Sequence, residues 1–308
     1  MKRTMKAWFG VTLLFAAYGA IGFGGDVLSE LLAQDRAPRE SVAGGAPDVA
    51  VDRGLERRHA LAVRVGQSAD CRYELDREVE IPVSDASLLS IVAGSGELAV
   101  EGRAGQSQVL AVGRVCASDE AYLEDLQVTV ERVGSEIVLS AHYPESRGWG
   151  GRGTARIDLD VSMPLGMAVD IDDSSGSMEV FGSGDLGIDD SSGSIRVVGA
   201  NGSVRIDDSS GGLEVRDVAG DVELRDGSGG IDVRDVQGIV RVSDGSGGIE
   251  IAEVDRDVVV EADGSGSIDV RSVGGDFVVE RDGSGGIRYS DIEGRVDVPA
   301  DERRRRGG

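Results

Sequence analysis

From Gly193 onward the chain repeats itself every nine residues. Aligned on a leading glycine, the segments read GSIRVVGAN (193–201), GSVRIDDSS (202–210), GGLEVRDVA (211–219), GDVELRDGS (220–228), GGIDVRDVQ (229–237), GIVRVSDGS (238–246) and GGIEIAEVD (247–255). The third and fifth positions are aliphatic, the fourth is mostly charged, and the seventh is usually Asp. Two turn types alternate, D-[GS]-S-[GS] and D-V-x-G, so the full period is eighteen residues. Asp173, Asp190, Asp208, Asp226, Asp244, Asp263 and Asp282 mark that period at spacings of 17, 18, 18, 18, 19 and 19.

Such a period leaves few ways to fold. Apolar residues two apart over five positions make a short strand with one buried face. The four remaining residues form a turn, and glycine supplies the backbone angles that reverse the chain. Two strand-turn units close one flattened coil, and coils stack about 4.8 Å apart. The predicted fold is an all-β, two-sheet β-solenoid over residues 154–300, with 18-residue coils made of two 9-residue units.

Its inward columns are Ile195/Val197, Leu213/Val215, Ile231/Val233, Ile249/Ile251, Ile268/Val270 and Ile287/Tyr289 on one sheet. Val204/Ile206, Val222/Leu224, Val240/Val242, Val258/Val260, Phe277/Val279 and Val296/Val298 face them. Aromatics are only 4% of the chain, as expected if two thin sheets about 10 Å apart enclose aliphatic side chains.

The outward positions read as ladders of opposite charge, which hold register. One outer column is Arg205, Glu223, Arg241. On the other sheet the acidic column Glu214, Asp232, Glu250, Asp269 runs beside Arg216, Arg234, Arg271.

Ahead of the repeat the sequence is less regular. Residues 1–24 combine Lys2, Arg3 and Lys6 with an apolar run, which is the pattern of a signal peptide, an uncleaved anchor being the alternative. Residues 25–58 read as a linker rich in Ala, Pro, Gly and charge. Residues 59–153 hold short apolar runs at 88–92, 97–100, 109–112, 126–130 and 137–139, an irregular β region that ends in a glycine-rich loop, 147–153. Residues 301–308 form a basic tail carrying Arg303–Arg306.

Cys71 and Cys116 are the only cysteines. In an exported chain they are expected to form one disulfide, worth about 3–4 kcal/mol for a loop of this length. His59 and His142 are isolated, so no thiol–imidazole metal set is expected.

A net charge of −24 argues against nucleic acid or anionic lipid as the main partner. Any membrane contact is expected only through the N-terminal segment, if uncleaved. Catalysis needs one asymmetric constellation, whereas every turn aspartate here recurs at a repeated position. No G-x-S-x-G, H-E-x-x-H or P-loop occurs.

Calcium is the sharper alternative, because β-roll nonapeptides also carry aspartates. Their ligand phase is G-G-x-G-x-D, and GGIDVRDVQ is out of that phase. The turn aspartates are instead expected to accept backbone N–H bonds within their own turns. No cofactor, metal or catalytic residue is assigned.

The stretch ARIDLDVSMPLGMAVDIDDSSGSMEV (155–180), followed by G-x-[VI]-x-[VI] repeats, resembles the bacterial putative-adhesin family of β-strand-repeat domains of unknown function. It is also similar to the GIN-type putative autotransporter adhesin heads. The resemblance spans roughly residues 85–300 and implies a right-handed solenoid located in the envelope or outside the cell. It brings no catalytic residues. The expected function is a non-catalytic exported module, adhesin-like or structural, in the periplasm, on the cell surface or outside. Its ligand would be an envelope or surface protein or polysaccharide. A calcium-binding secreted β-roll and a polysaccharide-acting β-helix enzyme are the alternatives.

Overall fold

The structure, a computed structural model, describes residues 64–65, 71–143 and 154–299. The signal segment, the linker, His59, the glycine-rich loop and the basic tail lie outside the described residues.

The N-terminal portion contains β1 (Arg64–Val65), β2 (Tyr73–Pro82), β3 (Leu88–Val92), β4 (Leu98–Arg103), β5 (Gln108–Ala117), β6 (Gln127–Val133), β7 (Glu136–His142) and β8 (Ala155–Pro164). A 3₁₀ turn at Glu120–Tyr122, capped by Asp119, is the only helical element among the described residues. β1, β2, β5 and β8 pair antiparallel in sequence, as do β6 and β7. These pairs close the N-terminal end of the stack.

From there the period-2 pattern produces strands that alternate between two sheets. One sheet continues through β10 (Met178–Phe181), β12 (Ile195–Ala200), β14 (Leu213–Val218), β16 (Ile231–Val236), β18 (Ile249–Val254), β20 (Gly266–Val273) and β22 (Gly285–Ile292). The other takes β9 (Ala168–Asp173), β11 (Leu186–Asp190), β13 (Val204–Asp208), β15 (Val222–Asp226), β17 (Val240–Asp244), β19 (Val258–Asp263), β21 (Phe277–Val279) and β23 (Val296–Asp297). All pairs in this run are parallel, and each strand meets its equivalent one coil away, as Val215 meets Val197 and Val233.

The chain is thus the two-sheet β-solenoid with coils of about eighteen residues that the repeat predicts. The inward columns are buried from Ile195 through Val279, with Val197, Val215, Val233, Val258 and Val260 fully covered. At the last coil the covering stops, and Tyr289 is 50% exposed above Phe277, their ring centroids 5.9 Å apart.

Two features go beyond the repeat alignment. First, the stacking begins at β3 and β4, within the stretch expected to be irregular. β3 pairs with β9 and β4 with β10, so Leu88–Arg103 is itself a coil of the stack. β7 and β8 then lie beside β3 and β4 on the N-terminal side.

Second, each coil carries a further inward aliphatic: Val218, Val236, Val254 and Val273 are all buried. The residue before each is left-handed, with φ between 56° and 59° at Asp217, Asp235, Glu253 and Ser272. That conformation breaks the alternation, turns the chain around the corner and sends the next side chain back into the core.

Candidate interaction surface

Three longitudinal arrays run along the stack, each built by repeating one position of the coil.

The first is an ion-pair chain on the outer face of the β12–β22 sheet. Alternation places one acid and one arginine outward on most strands, and parallel register brings them beside the next pair. Arg196 meets Glu214 at 3.7 Å, and Glu214 meets Arg216 at 2.8 Å. Arg216 reaches Asp232 at 3.8 Å, and Asp232 holds Arg234 at 2.8 Å. Arg234 and Arg271 both bind Glu250, at 3.1 and 2.8 Å. Arg271 lies 4.0 Å from Asp269, which also binds Arg288 at 3.1 Å.

The two sequence-predicted columns therefore merge into one unbroken network across six strands. Its members are about one-third exposed or more, so each pair contributes little to stability, typically below about 1 kcal/mol. The network does hold long side chains in fixed places. On the opposite sheet Glu223 is held by Arg205 at 2.6 Å and by Arg225 at 2.5 Å. Arg241 stands next to Glu223 in register, as the column predicts.

The second array follows the left-handed corner. Gly199, Asp217, Asp235, Glu253, Ser272 and Asp291 occupy equivalent places there and line an open groove of about 1200 Å³. Glu253 has its carboxyl pKa raised, first by a hydrogen bond with Asp235 and then by that neighbour's charge. Just past the corner, a further acid pins successive coils together. Asp221 Oδ1 accepts from the Ile239 amide at 2.8 Å, Asp257 from Asp276 at 2.8 Å, and Asp276 from Arg295 at 2.7 Å. These acids are not among the sequence-predicted positions, although their recurrence immediately before the facing aliphatic pair was a usable signal.

The third array is the column of turn aspartates. Asp173, Asp190, Asp208, Asp226, Asp244 and Asp263 close consecutive strands and stand opposite one another in register, and a bridge continues the column to half-buried Asp282. Oδ1 of Asp190, Asp208, Asp226 and Asp244 accepts the amide of the serine two residues on, at 3.1–3.2 Å. Asp173 Oδ1 instead accepts from Gly94 of the neighbouring coil at 3.0 Å.

The six side chains from Asp173 to Asp263 are only 3–6% exposed; the second oxygen of each has no hydrogen-bond partner, and at Asp263 neither oxygen has one. Burial is the main reason their pKa values are raised, and the neighbouring aspartates add to the shift for most of them. Asp173 and Asp208 are pushed up to about 6. Two full charges one coil spacing apart would repel by roughly 3.5 kcal/mol at an effective dielectric of about 20.

Among the described residues no three His, Cys, Asp or Glu side chains converge as a metal site. Cys71 and Cys116 are joined as a disulfide, their Cα atoms 5.2 Å apart, tying the start of β2 to the end of β5. His142 lies on β7 with its Nε2 2.7 Å from Thr129 Oγ1.

No family model matches the chain, and no curated protein matches it. Solved structures do. The chain is similar to a putative lipid binding protein from Parabacteroides distasonis, at 18% identity, covering 73% of this chain and 97% of that one, with a TM-score of 0.38. It is similar to a putative adhesin from Bacteroides fragilis at 12% identity, with 73% and 97% covered and a TM-score of 0.36. A putative cell adhesion protein from Clostridium sporogenes matches at 12% identity, with 72% and 97% covered and a TM-score of 0.29. Proteins named as adhesins, the group that the repeat pattern resembles, are thus among the matches.

Proposed function

We propose that the chain is a non-catalytic, exported rod that works at the cell envelope or surface as an adhesin-like binding or structural module. The observation that carries this is the continuous ion-pair network from Arg196 to Arg288. A flat sheet face bearing fixed, alternating charges over six strands matches an extended partner, such as a surface protein or a charged polysaccharide. It does not enclose a small molecule. Rigidity favours such binding, because side chains already held in place lose little freedom when a partner docks. The coil repeats one chemistry along its length, which suits polyvalent attachment to a repeating polymer.

The test combines location with attachment. Fractionation and protease accessibility on intact cells are expected to place the protein outside the cytoplasm. The double change Arg234→Glu and Arg271→Glu is expected to weaken binding to isolated envelopes at least tenfold while leaving the circular dichroism spectrum unchanged. Cytoplasmic location, or reproducible polysaccharide turnover lost on changing one aspartate, would refute the proposal.

A further inference from the structure

We propose that the buried aspartate column is a proton-binding ladder: in mild acid the folded rod keeps protons on alternate carboxyl groups, and it is tighter there than in alkali. The inference goes beyond the attachment role and does not depend on it.

Geometry supplies the case. Six consecutive carboxyl groups are covered, stand in register one coil apart, and each has an oxygen that no donor reaches. The turn serines satisfy one oxygen only. Members of the column face other members above and below. Across the turn lies the backbone of Gly193, Gly211, Gly229 and Gly247, so close that a Cβ added at Gly211 would sit 3.3 Å from Asp208 Oδ2.

At the N-terminal end the column meets the Tyr143 hydroxyl, which is already engaged by Ser95 and Ile157. The residues preceding the column members, Asp172, Asp189, Asp207 and Arg225, are exposed on the outward side. Arg225 is taken by Glu223. Among the described residues no arginine contributes to the shifts of the six buried aspartates.

A proton answers both deficits. Neutralising every second carboxyl removes all nearest-neighbour repulsion, and each bound proton provides a donor beside an oxygen that lacks one. The column then titrates as a unit over a broad range and not as six equal sites.

The sign follows from linkage. Carboxyls whose folded pKa lies above the unfolded value contribute stability that is fully present below the unfolded pKa. That stability is lost as pH rises through the folded value. With Asp173 and Asp208 at about 6, the loss falls between about pH 4 and 7.

The experiment uses the full chain. Infrared difference spectra at pH 6 against pH 8 are expected to show the carbonyl stretch of protonated carboxyl groups. The melting temperature is expected to rise by at least about 5 °C from pH 8 to pH 5. The triple variant Asp190→Asn, Asp226→Asn, Asp263→Asn should abolish most of that rise and melt higher than wild type at pH 8. The wild-type infrared measurement decides the matter even if the variant does not fold. Absence of the band at pH 6, or a melting temperature that is level or falling from pH 8 to 5, overturns the proposal. So does calcium at pH 8 restoring the pH 5 melting temperature, because a metal ion would then be the missing counter-charge.

Discussion

Gly229 and Gly230 are adjacent and chemically identical, yet replacing Gly229 by alanine should be costly and replacing Gly230 nearly neutral. Gly229 has φ 153°, and a Cβ built on it would lie 1.4 Å from the Gly211 carbonyl oxygen of the preceding coil. Side-chain carbons do not approach closer than about 3.0 Å, so the coils must part by at least 1.6 Å, a third of their spacing. The Gly211 amide donates to Ser228 at 2.9 Å and the Leu213 amide to Gly230 at 2.8 Å, and both bonds span that gap. Breaking two covered backbone bonds costs about 1–2 kcal/mol each, and alanine at this glycine-only conformation adds about 1–3 kcal/mol.

The sum is roughly 3–7 kcal/mol, or on the order of 6–28 °C in melting temperature for a body of this size. A Cβ at Gly230 meets nothing within 4 Å, so Gly230→Ala should melt within about 2 °C of wild type. Calorimetry on both variants checks the pair. Equal losses in the two, or a Gly229→Ala protein within about 3 °C of wild type, would show that close glycine-on-glycine stacking is not what sets the coil spacing.

Asp226→Asn should cost nothing at pH 5 and stabilise at pH 8, because the amide oxygen still accepts from Ser228 and the raised carboxyl pKa means that the charge is a burden. Asp226→Ala should fall below Asp226→Asn by about 1 kcal/mol, the usual net worth of the lost bond, and urea unfolding at the two pH values measures both. Millimolar calcium should leave wild-type melting nearly unchanged. Thiol labelling of exported, denatured, unreduced protein should find Cys71 and Cys116 blocked, and Cys116→Ser should lower stability by about 3–4 kcal/mol. Ile231→Ala, in a filled inward column, should cost about 2–5 kcal/mol in the same assay, whereas Arg234→Ala should cost below about 1 kcal/mol.

The repeat by itself determined the coil. Once Val197, Val215 and Val233 recur at a constant interval, parallel stacking is the arrangement that buries them all and pairs every strand, and the charge ladders follow from the alternate positions. Tertiary structure was needed where the interval breaks.

Leu88–Gly102 matches Ala168–Gly182 at an offset of 80 residues, Ile91 lying on Ile171 and Val100 on Val180, but β5 to β8 intervene. A period identifies neighbours only while the connection length is fixed. After a long excursion, hydrogen bonding and burial choose the partner. The same coil places Ala93 where later coils carry an aspartate, which is how the column ends there.

The left-handed corner at Asp217, Asp235 and Glu253 was equally hidden, because these residues carry carboxylates where Gly182 and Gly199 do the same task without a side chain. The spacing also located the turn aspartates and suggested the amide bonds that Asp190, Asp208, Asp226 and Asp244 accept. That the second oxygen of each is covered and lacks a donor depends on how closely the glycine backbone of the next strand approaches, a distance set by the packing of whole coils.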